Sequence, residues 1–171
     1  MCCELGMIIK NLGKNFFINL SLVLLIFLLD RISKIYVIYL DKKILGSEIF
    51  SSKFLNIYLI WNEGIAFGLF SFDEKNLYNI LTIIILSIII GIFIMLLQTK
   101  GLRRFFLLMI LGGAMGNVFD RLFYKSVPDF IDLHVGNFHW FIFNVADIFI
   151  TLGVIFMIIF ELTNSDNNER L

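Results

Sequence analysis

Residues 77–98, LYNILTIIILSIIIGIFIMLLQ, carry not one charged side chain. About 20 apolar residues wound as a helix cross the ~30 Å hydrocarbon layer of a bilayer, and the helix pairs every backbone polar group internally. A stretch of this kind commits the whole chain, because the segments packed beside it must obey the same solvent. Three further apolar runs do so: residues 15–40, 105–123 and 144–163. The predicted fold is an integral membrane, mainly α-helical protein with four transmembrane helices, formed by one domain over residues 1–171. Bulk composition agrees: 59% of residues are hydrophobic and 16% charged, against about 25% charged in ordinary soluble domains. The formal net charge of zero argues against nucleic acid as a partner.

The first apolar run is too long for a cleaved signal peptide and is followed by no small-residue cleavage site, so it is expected to stay as a helix. Cys2 and Cys3 are neighbours and the only cysteines. They cannot reach ordinary disulfide geometry, no cysteine zinc site can be built, and a lipid on them is not expected.

Two segments are not spans. Residues 41–76 include EIFSSKFLNIYLIWNEGIAFGLFSF, rich in aromatic and β-branched residues and interrupted by Gly64 and Gly68. That pattern predicts a small strand-rich extracytoplasmic insert between the first and second helices. Residues 124–143, YKSVPDFIDLHVGNFHWFIF, read as a polar and aromatic connection. Trp61, Tyr124 and Trp140 are of the type that settles at membrane interfaces. Four spans put both segments on one side and both termini on the other. The termini side holds Lys10, Lys14, Lys100, Arg103, Arg104 and Arg170, and the other side holds Lys42, Lys43, Lys53, Lys75 and Lys125. The margin is narrow, but the short basic loop TKGLRR turns it towards cytoplasmic termini.

In that topology the ionisable residues gather at one depth near the outer face. Asp30 and Lys34 are four apart on the first span, a spacing that suits an ion pair and reads as structural. Asn117, Asp120 and Arg121 share one face of the third span, and Asn144, Asp147 and Thr151 share one face of the fourth. Gly112, Gly113 and Gly116 allow another backbone to approach the third span closely. Asp120 and Arg121 read as anchoring the helix end and shaping the pocket. Asp132 reads as a solvated loop acid. His134 and His139, five apart with acids nearby, have metal-ligand chemistry, yet in a polar connection they read as interface residues. No metal and no cofactor is expected.

Asp129 and Asp147 are different. Each stands among apolar letters, VPDF and NVADI, with no adjacent base. If the two meet in a poorly solvated site they share one proton, since like charges there cannot both ionise. The ionised acid then activates water and the neutral one protonates a leaving group. That is peptide hydrolysis without a metal.

Five motifs in order, DRISK in the first span, NEGIAFG in the insert, GGAMGNVFDRL in the third span, then VPDF and FNVADIFITLG, make the chain resemble the lipoprotein signal peptidases (signal peptidase II), aspartic proteases of the bacterial cytoplasmic membrane. The resemblance covers nearly the whole length. It implies Asp129 and Asp147 as the catalytic dyad and Asn62, Gly64, Asn117, Arg121 and Asn144 as substrate-binding residues. Asp30, Lys34 and Asp120 are implied as supporting residues. Pro128 departs from the valine or isoleucine common there; it fixes the backbone before Asp129, and activity is expected to survive it. The implied substrate is a diacylglyceryl-modified prolipoprotein, cut just before its lipidated cysteine by a monomer surrounded by membrane lipids, with the insert as a cradle on the bilayer. A rival reading, a small proton-coupled transporter or channel subunit, also uses intramembrane charges. It would line a route across the membrane, whereas these acids cluster at one surface, and no internal repeat is visible. A membrane-assembly factor without chemistry leaves the lone acids without a purpose.

Overall fold

The computed structural model describes residues 2–46, 48–63 and 74–168. Its helices are α1 (Cys2–Ile44), α2 (Glu74–Gln98), α3 (Gly101–Tyr124) and α4 (Val145–Asn168), and its strands are β1 (Phe50–Ser51), β2 (Leu55–Asn62), β3 (Val127–Val135) and β4 (Phe138–Phe143). Phe16–Ile44, Gly101–Tyr124 and Val145–Asn164 are long and apolar enough to cross a membrane. The strongly apolar part of α2 is Thr82–Gln98, and the whole helix of 25 residues extends about 37 Å at 1.5 Å per residue. Four spans are therefore present, each longer than its apolar run because the helices continue into the polar flanks.

Lipid-facing positions stay apolar: Ile83, Ile88 and Ile90 on α2 and Ile155 and Ile158 on α4 are all exposed. Bilayer hydrocarbon is as apolar as these side chains, so close packing and polar contacts must hold the helices together. Small residues on α3 permit it. A Cβ on Gly113 would lie 2.5 Å from the Ala146 carbonyl oxygen of α4, and one on Gly112 would lie 2.9 Å from Ile26 Cβ of α1. Towards the α2–α3 turn the bundle has an apolar core of Val23, Ile92, Leu96, Leu107, Leu108 and Leu111. At that same end Arg103 of α3 pairs with Glu161 of α4 at 2.7 Å, fixing the two helices as antiparallel neighbours.

At the opposite end lies one four-stranded antiparallel sheet in the order β1-β2-β3-β4. The insert thus forms strands as expected, and the connection at 124–143 does too. Its strands were not anticipated. β3 alternates buried and more exposed positions only in its second half, while Pro128 and the apolar letters around it mask the period of two on which strand recognition rests. Gly136, at φ +60°, turns the β3–β4 hairpin in a conformation that costs glycine little. The hairpin also corrects the reading of Asp132 as a solvated loop acid: it is fully buried on β3, with both its oxygens on His139 at 2.8–3.0 Å. His134 is likewise buried.

Candidate active site

The sheet meets the helix bundle at the start of α4, and the sequence Asn144-Val145-Ala146-Asp147 explains why α4 begins there. The Asn144 side-chain oxygen accepts from the Asp147 backbone N–H at 3.1 Å, while Asp147 accepts from the Asn144 backbone N–H at 3.1 Å. This reciprocal pair is a capping box with Asp in place of the usual Glu. It satisfies two of the donors that a helix start otherwise leaves open. A third, the Ala146 N–H, donates to Asp30 of α1 at 3.0 Å. The Asp147 carboxylate is therefore held by the helix-capping geometry itself.

Asp129 is brought alongside by β3. In the β2–β3 register Asp129 faces Ile60 and Val127 faces Asn62, so Asn62 is the diagonal neighbour of Asp129 and donates to it at 2.8 Å. The other Asp129 oxygen accepts the Asn144 amide at 2.6 Å. Asp147 takes a matching donor from α3, the Asn117 amide at 2.7 Å. Each carboxylate thus receives one private asparagine, and both share Asn144. Burial pushes the Asp129 carboxyl above its ordinary value, the Asn62 and Asn144 donors oppose that rise, and the charge of Asp147 adds to it.

Beneath the pair lies a buried ionic cluster. Lys34 Nζ reaches Asp30 at 2.9 Å, Asp120 at 2.7 Å and the Asn117 side-chain oxygen at 2.9 Å. Arg31 reaches Asp30 at 2.8 Å and Asp120 at 2.6 Å, and its guanidinium lies over the Phe119 ring at 4.8 Å. Two acids and two bases cancel, as buried charges in a membrane must. Because Lys34 occupies the oxygen of Asn117, its amide nitrogen is the end turned to Asp147. A cavity of about 370 Å³, lined by Trp140, Phe141, Phe143, Ile148 and Leu152, opens beside Asp147 between β4 and α4.

Of the residues singled out from sequence, Asp129, Asp147, Asn62, Asn117, Asn144, Asp30, Lys34 and Asp120 converge here. Arg121 donates to the Asn117 carbonyl of its own helix at 3.4 Å. Gly64 lies outside the described residues. Asp30 and Lys34 are not an isolated pair but half of a four-charge cluster, and Asp120 belongs to it. Arg31 was missed, although charge balance signals it: Asp30 and Asp120 at one depth need two cations, and Lys34 supplies one.

A family model for signal peptidase (SPase) II matches residues 22–163. The chain belongs to the signal peptidase II family. The lipoprotein signal peptidase of Pelagibacter ubique (strain HTCC1062) is 50% identical over 159 residues, covering 92% of this chain and 96% of that protein. That of Anaplasma marginale (strain Florida) is 38% identical and covers 86% of each. Two solved bacterial membrane enzyme structures, each 29% identical, superpose with TM-scores of 0.66 and 0.62. They cover 87% and 84% of this chain and 90% and 91% of theirs. Membership of the signal peptidase II family makes the chain a protease, and its apolar helices make it a multi-pass bacterial membrane protein.

Proposed function

We propose that the chain is an aspartic endopeptidase that removes signal peptides from diacylglyceryl-modified prolipoproteins, cutting before the lipidated cysteine, with Asp129 and Asp147 as its dyad. The observation that carries this reading is Asn144, whose side chain donates to Asp129 while its backbone donates to Asp147. One residue spans both carboxylates, so they face a common reacting position. The relatives named above are lipoprotein signal peptidases, which supports the substrate class. Family membership also favours the peptidase over a transporter.

The dyad holds one proton, which this reading assigns to Asp129. Asp147 carries the charge at the first turn of α4, where the helix N-terminus favours an anion. Asp147 takes a proton from water as the water oxygen attacks the scissile carbonyl, and Asp129 delivers its proton to the leaving amine. The products are a carboxylic acid on the signal peptide and a free amine on the lipidated cysteine, and the dyad again holds one proton. Asn62 and Asn117 keep the two carboxylates apart in role and orientation, and Asn144, Gly64 and Arg121 contribute to substrate binding. The apolar cavity beside Asp147 suits substrate whose groups are themselves apolar.

The basic loop after α2 supports cytoplasmic termini, with the sheet at the outer face. The reading takes the enzyme as a monomer working among membrane lipids. The experiment is to give the purified protein in detergent a diacylated prolipoprotein and, separately, the unlipidated precursor, and to locate the cut by mass spectrometry. Cleavage of the lipidated form before its cysteine supports the proposal. Proton flux through liposomes without cleavage of either form overturns it.

A further inference from the structure

On the face of the sheet turned away from the dyad, three side chains come together that the peptidase chemistry does not use. Asp129 and Asp132 are three apart on β3, and odd spacing on a strand sends side chains to opposite faces. Asp132 and His134 are two apart and share a face. Between the pairs Asp132↔Ile142 and His134↔His139 the register shifts, because β4 spends three residues where β3 spends two. That extra residue puts His139, in place of Trp140, opposite His134. The two imidazoles stack with centroids 5.0 Å apart, and one potential ligand atom from each of Asp132, His134 and His139 lies within 4.8 Å of the others.

Asp132 and His134 are buried, and His134 Nδ1 is shielded from solvent without a hydrogen-bond partner. A buried ring nitrogen left open in this way costs free energy. The His139 side chain is half exposed, with its Nδ1 on Asp132 at 2.8 Å. Asp132 also lies near the Tyr58 side chain of β2, whose hydroxyl is held above its ordinary pKa by burial together with Asp132. We infer that Asp132, His134 and His139 form a binding site for a divalent transition metal of the zinc type, separate from the dyad. Two imidazoles and one carboxylate are ligands of the borderline softness such ions take. Ligand atoms around a tetrahedral zinc stand about 3.3 Å apart with metal–ligand distances of about 2.0–2.2 Å. Rotation of the half-exposed His139 ring out of its present pairing with Asp132 closes the remaining gap, and water takes the fourth position on its exposed side. The bound ion satisfies His134 and clips β4 to β3, so it stiffens the hairpin whose first strand carries Asp129. It acts as a structural ion and takes no part in hydrolysis.

The test uses tag-free protein in detergent, stripped with EDTA and freed of chelator, titrated with Zn²⁺ by calorimetry and with Co²⁺ by visible absorption. The expected result is one equivalent bound, cobalt bands of a four-coordinate site, and a Tm raised by Zn²⁺. His139→Gln, at a half-exposed position that spares the fold, weakens binding by about ten-fold or more, and His134→Gln does the same. Asp129→Asn binds metal as the wild type does, so the result is independent of the peptidase reading. No saturable binding, or equal binding by His139→Gln, overturns the inference.

Discussion

Replacing Lys34 with Met tests whether the buried ionic cluster holds the site up. Lys34 contacts Asp30, Asp120 and the Asn117 oxygen within 2.7–2.9 Å, and Lys34, Asp30 and Asp120 are fully buried. Met preserves much of the length of the side chain and removes the charge. Three acceptors lose a donor, and two carboxylates are left with Arg31 alone, a net charge of −1 out of contact with water. Breaking a buried pair by removing one partner costs about 3–5 kcal/mol, chiefly through the charge left uncompensated. The loss is expected in unfolding by SDS in mixed micelles, followed by the fluorescence of Trp61 and Trp140 on the sheet. A second substitution separates charge from packing: Lys34→Met with Asp120→Asn leaves Asp30 and Arg31 balanced. Residues sharing one network couple by up to about 3 kcal/mol, so the double variant should recover about 2 kcal/mol relative to additive losses. A Lys34→Met penalty under about 1 kcal/mol, or a strictly additive double variant, would refute the argument from charge balance.

Gly113→Ala would set its methyl against the Ala146 carbonyl and push α4 outward next to Asp147; about 1–3 kcal/mol of stability and most of the cleavage rate should be lost. Gly91→Ala is its control, since a Cβ there meets nothing within 4 Å, and it should stabilise α2 by up to about 1 kcal/mol. Asn144→Ala removes both the helix cap, worth about 0.5–2 kcal/mol, and the amide on Asp129, so its loss of kcat should far exceed its loss of stability. Asn62→Leu deletes a donor that holds the Asp129 carboxyl down against burial, so the alkaline limb of the kcat/KM profile should move to higher pH. The sign for stability follows from the same rise. Folded Asp129 keeps its proton above the ordinary value near 3.8, so its contribution to stability is complete below that value and declines as pH rises through the raised one. Urea or SDS titrations across that range should show the decline steepen towards higher pH in Asn62→Leu.

The four helices were legible because uncharged runs of span length admit few other structures, and the strands of the insert because LNIYLIWN is rich in β-branched and aromatic residues. Strands β3 and β4 were not, since buried strand positions on either side of Pro128 carry no alternation. Asp132 was misread for the same reason: a buried strand acid and a solvated loop acid look alike until the register is known. The proposed dyad was named from the two apolar settings of its acids and from the ordered motifs. Its asparagine scaffold is a matter of geometry: that Asn144 caps α4 and reaches Asp129 at once depends on a β2–β3–α4 junction that no single motif contains. The role of Arg31 was missed because it depends on charge balance between residues 85 or more apart in sequence, a sum that no local pattern performs.

The most direct measurement of the central claim is single-turnover cleavage of a diacylated prolipoprotein by the wild type, Asp129→Asn and Asp147→Asn, each first shown to unfold at the same SDS concentration as the wild type. Loss of a positioned acid or base costs about 10²–10⁴-fold in rate, and both variants should fall by at least that much while still binding substrate. Wild-type cleavage by either folded variant would contradict the assignment of the dyad.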